Sequence, residues 1–364
     1  MFRSNLKLTV KVSYIPLTSG SRIVLLLLKL RLFDVSINSF FAFRYTMKKK
    51  YLYIIVLLII GIANSEACTE CSAKAKNGNI WHGGNEDKPF SLGTRVNIVA
   101  PAENCYGYFY TTNSKNPNEF PQGGMNEAGL SFGGTSVPST TYKDFYKKKD
   151  FPGGSSELMF FIFRKCKTVK EVFALFKIYR VSGLEVSQFH FADKYGNFGI
   201  IVADSMWLTH GEYQISTNYN LCHPDKDSVQ CWRYPMAERI LTTKEIGLET
   251  LRELFDSTSQ RKWTNHTEIK NLTTGDIWFY YAQNFSRSFK TNIKEFVKSG
   301  NRTFYLYELF KEDLLLKHIM KSKETEDHMA ISIMISFPII LFLIIYSWVL
   351  RRRLRKLRDS KSTQ

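Results

Sequence analysis

The dipeptide Asn77-Gly78 sits between the runs "CTECSAKAK" and "NIWHGGNED", and it is a strong signal for a tight β-hairpin, because both residues tolerate positive φ. A two-residue turn there pairs positions whose numbers sum to 155, so Cys68 falls opposite Asp87, while a bulge would shift the pairing by one residue. The hairpin begins where another signal ends. From Met47 the chain reads "MKKKYLYIIVLLIIGIANSEA": three lysines, an apolar run, then Ser65 and Ala67 just ahead of Cys68. Residues 47–67 therefore read as a secretory signal peptide cleaved before Cys68. Residues 1–46 lack a clear globular pattern and read as an upstream extension outside the mature protein.

The other end is also apolar. Met329 to Leu350 runs 22 residues without a charge and is followed by "RRRLRKLR". That predicts a single transmembrane helix at 329–350 and a basic cytoplasmic tail at 351–364, hence a type I membrane protein with residues 68–327 in the lumen or outside the cell. The formal net charge is +17, but residues 1–67 carry +8 and residues 351–364 carry +6, leaving 17 − 14 = +3 between them. A nucleic-acid partner is excluded on that distribution. Sequons at Asn265, Asn271, Asn284 and Asn301 mark glycosylation sites of a secreted domain. In an oxidising compartment Cys222 and Cys231 make a plausible disulfide closing a short loop. The alternative for Cys68 is a structural disulfide with Cys105 or Cys166. A lone C-x-x-C, Cys68 and Cys71, does not make a metal site.

Between 68 and 327 no internal repeat or linker divides the chain, so one domain is expected. Short β-branched or aromatic runs, "RVNIVAP", "CYGYFYTT" and "GLSFGGTSVP", read as strands. Leu158 to Cys166 and "TVKEVFALFKIYR" show helical spacing, the second opened by a capping box of Thr168 and Glu171. "QFHFADKYGNFGIIVAD" reads as two strands about a turn, "EYQISTN" as another strand, and "GLETLRELFDST" and "IKEFVKSGN" as late helices. The class is α+β, helices layered on antiparallel sheets.

An N-terminal Cys supplies nucleophile and base in one residue. The thiol attacks, and a free α-amine, whose ordinary pKa is roughly 7.7 to 8.0, takes and returns the proton. Asp87 across the hairpin is placed to hold that amine. His82 reads as a packed strand residue, and Asn126 as one that bonds local backbone.

The segments "CTECSAKAKNGNIWHGGNED", "QGGMNEAGLSFGG", "FADKYGN", "YQISTN" and "CWRY" resemble, in that order, the choloylglycine hydrolase and penicillin V acylase group of N-terminal-nucleophile hydrolases, over about Cys68 to Leu241. The resemblance implies a four-layer αββα sandwich and a cofactor-free amidase acting on a non-peptide linear amide of a small molecule. It further implies Cys68 as nucleophile, Asp87 beside the α-amine, Asn218 in the oxyanion hole and Arg233 as the buried arginine. The group's bile-salt enzymes carry Arg where this chain has Gly84, so Asn85 is expected to take part of that role, and a second oxyanion or substrate contact falls at Thr135 or Ser136. The same frame suits acyl transfer, or an inactive surface-displayed binding protein.

Overall fold

The computed structural model describes residues 68–88, 91–113, 119–142, 145–203, 205–209, 211–221, 231–260 and 263–313, with scattered positions from 316 to 352. The expected upstream extension and signal peptide lie outside the described residues. So does much of 329–350. Among the described residues no helix is long and apolar enough to cross a membrane.

Two antiparallel sheets form the body. In the six-stranded first sheet the order is β10 (Tyr213–Ser216), β1 (Thr69–Lys74), β2 (Ile80–Asp87), β11 (Thr264–Asn271), β12 (Asp276–Tyr281) and β13 (Phe289–Asn292). In the eight-stranded second sheet it is β14 (Arg302–Tyr305), β3 (Arg95–Val99), β4 (Tyr108–Thr112), β5 (Gly123–Asn126), β6 (Leu130–Ser136), β7 (Ser187–Asp193), β8 (Phe198–Val202) and β9 (Ser205–Thr209). Helices α1 (Gly154–Lys165) and α2 (Val169–Ile178) cover the outer face of the second sheet, and α3 (Arg233–Thr243) and α4 (Leu248–Thr258) that of the first. A short α5 (Ile293–Lys298) closes the end of the first sheet's last strand. This is an αββα sandwich.

Alternation along the strands builds the layers. In β4, Phe109 points between the sheets onto Phe279 of β12, while Tyr108 and Tyr110 point outward onto Phe163 and Phe160 of α1. The inter-sheet core gathers Val96, Ile98, Phe109, Met125, Phe198, Ile277 and Phe279. Thr168 caps α2 through the expected box: its side chain accepts from the Glu171 N–H, and Glu171 accepts from the Thr168 N–H at 2.9 Å. Asn126 is buried, donating to the carbonyls of Phe163 and Cys166 and accepting from the amides of Ala128 and Leu130, which locks α1 to the β5–β6 turn.

The first hairpin forms, but its turn is one residue longer than expected. The Gly78 N–H donates to the Ala75 carbonyl and the Ala75 N–H to the Asn79 carbonyl, with Gly78 at φ +84°. That is a type I turn followed by a left-handed glycine, a three-residue loop. Pairs now sum to 154, as in Thr69↔Asn85 and Ser72↔His82, so Cys68 continues toward Glu86 and not Asp87. A one-residue slip turns every side chain of β2 to the opposite face from that expected.

Candidate active site

With this register, odd residues of β1 and β2 face the helices and even residues face the second sheet. Thr69, Cys71, Trp81, Asn85 and Asp87 lie on the helix side; Glu70, Ser72, His82 and Glu86 lie between the sheets. Cys68 immediately precedes β1 and is buried. Continuing the β1–β10 pairing from Glu70↔Ser216 carries Cys68 toward Asn218 on its other flank.

Arg233 opens α3 and is 3% exposed. Its Nη1 donates to the Cys68 carbonyl at 2.7 Å and to Thr69 Oγ1 at 3.0 Å, and lies 3.4 Å from Asp87 Oδ2. Its Nη2 donates to Asn218 Oδ1. Fork geometry lets one guanidinium hold four acceptors from three strand ends, which an ammonium would not do. Asn218 is fixed from its other end as well, its Nδ2 donating to the Ser136 carbonyl at 2.8 Å. Below it Gln188 donates to the carbonyls of Thr217 and Tyr219, pinning the segment that carries Asn218. Asp87 also accepts from the Thr264 hydroxyl, which reaches it because a bulge between Thr264 and His266 re-aims β11.

Four residues singled out from the sequence, Cys68, Asp87, Asn218 and Arg233, therefore meet at one point. Asn85 does not join them. It is fully buried on the helix side, donating to the Phe255 carbonyl at 2.8 Å and accepting from Thr267 at 2.6 Å, so it fastens α4 to the sheet and has no access to a substrate. Ser136 contributes its backbone carbonyl to Asn218. Thr135 donates to the Thr217 carbonyl at 3.1 Å.

Two further acids act on the thiol: Glu86, which the expected register put on the other face, and Glu70 two residues along the same strand. Cys68 Sγ donates toward Glu86 Oε2 at 3.7 Å. Glu70 fills the space at Gly84, where any Cβ would overlap its carboxylate, and the side chain suggested by the bile-salt enzymes has no room. The one-residue shift that a bulge allows, here taken as a three-residue loop at Asn77-Gly78, is what brings Glu86 to Cys68.

Burial raises the Cys68 thiol well above its ordinary pKa, and Glu86 and Asp87 add to it while the Asp87 backbone N–H opposes. Burial also pushes the Asp87 carboxyl up to about 7, outweighing the Thr264 hydroxyl and Arg233. His82 is buried and kept neutral by burial and by the charge of Lys270, with Nδ1 2.6 Å from Ser131 Oγ.

The other sequence expectations are placed as follows. Cys68, Cys105, Cys166 and Cys231 are all free thiols, which removes the structural-disulfide alternative for Cys68. With Cys231 free, the expected bridge to Cys222 is not formed here, and Cys222 lies outside the described residues. Asn265 and Asn271 are buried in β11, Asn265 donating to the Ser91 carbonyl at 2.9 Å, so these two sequons present no accessible amide. Asn284 is half-buried and donates to Asp313 at 2.7 Å. Asn301 is exposed.

No protein-family model and no curated protein matches the sequence. Among solved structures, two variants of the conjugated bile acid hydrolase from Clostridium perfringens superpose with TM-scores of 0.52 and 0.51, at 12% and 13% identity, each covering 65% of this chain and 96% of the other. Penicillin V acylase from Agrobacterium tumefaciens matches at 0.48, 13% identity, 65% of this chain and 90% of its own. The chain thus has the fold of the conjugated bile acid hydrolase.

Proposed function

We propose that the chain is a cofactor-free amide hydrolase whose nucleophile is Cys68, freed at its N-terminus by cleavage after Ala67. The observation that carries this reading is the Arg233 fork, which ties the Cys68 carbonyl, Asp87 and Asn218 to one buried guanidinium at the strand ends. A thiol this deeply protonated needs a base at the moment of attack, and the free α-amine of the same residue is that base.

In this mechanism the Cys68 sulfur attacks the amide carbon while the α-amine takes the thiol proton. Asn218 stabilises the oxyanion. Collapse expels the amine product, which receives the proton from the α-ammonium and leaves a thioester on Cys68. Water, deprotonated by the same amine, then releases the acid and the thiol. A signal peptide over 47–67 and a span at 329–350 would deliver this site to the secretory pathway as a type I membrane protein, with Asn301 open to glycosylation.

The test is direct. Intact mass and N-terminal sequencing of purified protein should give Cys68 as the first residue, and Cys68→Ser, processed at the same bond, should lose at least about a hundred-fold in turnover on a panel of linear amides. Full turnover in Cys68→Ser, or an N-terminus elsewhere in an active preparation, would overturn the reading.

A further inference from the structure

The shifted register sets one more side chain against the sulfur. Thr69↔Asn85 and Glu70↔Gly84 are opposite pairs, so the next pair outward is Cys68 and Glu86, whose side chains leave the hairpin on the same face. The Cys68 S–H donates to Glu86 Oε2 at 3.7 Å, within reach of a sulfur donor. The other oxygen is tied as well: Glu86 Oε1 lies 3.8 Å from Lys88 Nζ. Lys88 is itself buried and donates to Asn113, just past β4, and to Gln122 Oε1, just ahead of β5, at 3.4 Å.

The Glu86 carboxylate thus has one oxygen for the thiol and one for an ammonium fixed to the second sheet, and it cannot swing away from the sulfur without giving up Lys88. The Glu86 side chain is 17% exposed and Cys68 is 7% exposed, so water screens the pair only partly. The other ionisable groups about these two are Asp87 on β2, Glu70 on β1 and Arg233 on α3, which holds the Cys68 carbonyl. Across a small cavity between the sheets stand His266, Glu268 and Lys270 of β11. Those three are engaged with one another, Lys270 to Glu268 at 3.0 Å and His266 to Glu268 at 3.5 Å. Glu86 is therefore the acid that a hydrogen bond joins to the sulfur. A negative charge so placed favours S–H over S⁻, and after burial itself Glu86 raises the thiol more than any other group does.

Resting on the amide-hydrolase reading above, we propose that Glu86 is a further catalytic residue: its carboxylate accepts the Cys68 S–H, sets the direction of the sulfur and keeps the proton on it until the α-amine takes that proton during attack. Ionisation is thereby coupled to substrate. The sulfur becomes a nucleophile when an amide carbon is in reach, and before that it reacts slowly with small electrophiles. Lys88 sets the strength of the hold, since its ammonium offsets part of the charge that Glu86 presents to the sulfur.

The experiment uses the processed full chain and iodoacetamide, with alkylation read at Cys68 alone by peptide mass spectrometry, because Cys71, Cys105, Cys166 and Cys231 are free as well. In Glu86→Gln the midpoint of alkylation rate against pH should fall by about one unit or more, which is about ten-fold faster alkylation at a pH below both midpoints. In Lys88→Met the midpoint should move the other way, upward. A purely structural pair would not move it in opposite directions. A midpoint unchanged or raised in Glu86→Gln would overturn the proposal, and so would one unchanged or lowered in Lys88→Met, which decides alone if Glu86→Gln does not fold. Alkylation needs no substrate, so the two readings stay apart. Hydrolysis that depends on Cys68, with an unmoved midpoint, sinks this role for Glu86 and leaves the enzyme; a moved midpoint in a protein that hydrolyses no amide keeps the hold on the thiol and sinks the enzyme.

Discussion

Replacing Arg233 by Met keeps most of the buried stem and removes the guanidinium that four acceptors share. At pH 5, Asp87 is protonated in the folded chain, because its carboxyl titrates near 7. The loss there comes from the Cys68 carbonyl, Thr69 Oγ1 and Asn218 Oδ1, each losing the guanidinium as donor at about 1 kcal/mol, so about 3 kcal/mol in all. At pH 8 wild-type Asp87 is ionised and paired, whereas in the variant it must stay protonated or stand uncompensated. That adds up to about 1.4 kcal/mol per pH unit above 7, for a total of roughly 4 to 5 kcal/mol, in the range for breaking a buried ion pair. With roughly 2 to 4 °C per kcal/mol for a domain of this size, thermal unfolding should fall by roughly 6 to 12 °C at pH 5 and further at pH 8. Calorimetry or urea unfolding at the two pH values measures it. A loss under about 1 kcal/mol at pH 5, or one that does not grow with pH, would show that Arg233 is not the clamp described here.

Other outcomes follow from the same geometry. Asp87 has a raised folded pKa, so the native state holds a proton that the unfolded state has lost between about pH 4 and 7; its contribution is full below pH 4 and declines as pH rises to 7. Asp87→Asn should therefore flatten part of the decline in urea stability across that window, and an unchanged slope would refute it. Gly84→Ala drives a methyl into the Glu70 carboxylate and should cost about 1 to 3 kcal/mol by urea titration, with Glu70→Ala recovering most of it in the double variant. Expressed through a eukaryotic secretory pathway, the chain should lose one glycan mass in Asn301→Gln and none in Asn265→Gln, while Asn265→Gln alone should lower stability by about 1 to 3 kcal/mol because its donor to Ser91 is displaced.

Much of this protein is written locally. Thr168 and Glu171 cap α2 with no help from elsewhere, Asn126 satisfies backbone groups that its own turn leaves open, and alternation in "CYGYFYTT" sorts Phe109 from Tyr108 and Tyr110. These depend on φ/ψ preferences and hydrogen bonds spanning a few residues, which a sequence displays. The resemblance placed Cys68, Asp87, Asn218 and Arg233 together because ordered motifs carry a fold's connectivity. What the chain alone could not decide was the face of β2. Asn77-Gly78 suits both a two-residue and a three-residue loop, differing by one position, and the choice rests on which arrangement buries Trp81 and Asn85 against α4 and leaves His82 and Glu86 between the sheets. That choice turned Asn85 from a candidate substrate contact into a fastening for α4. It also brought Glu86 to the thiol and let Glu70 fill the space at Gly84, since side chains far apart in sequence share one volume only after the sheets have packed.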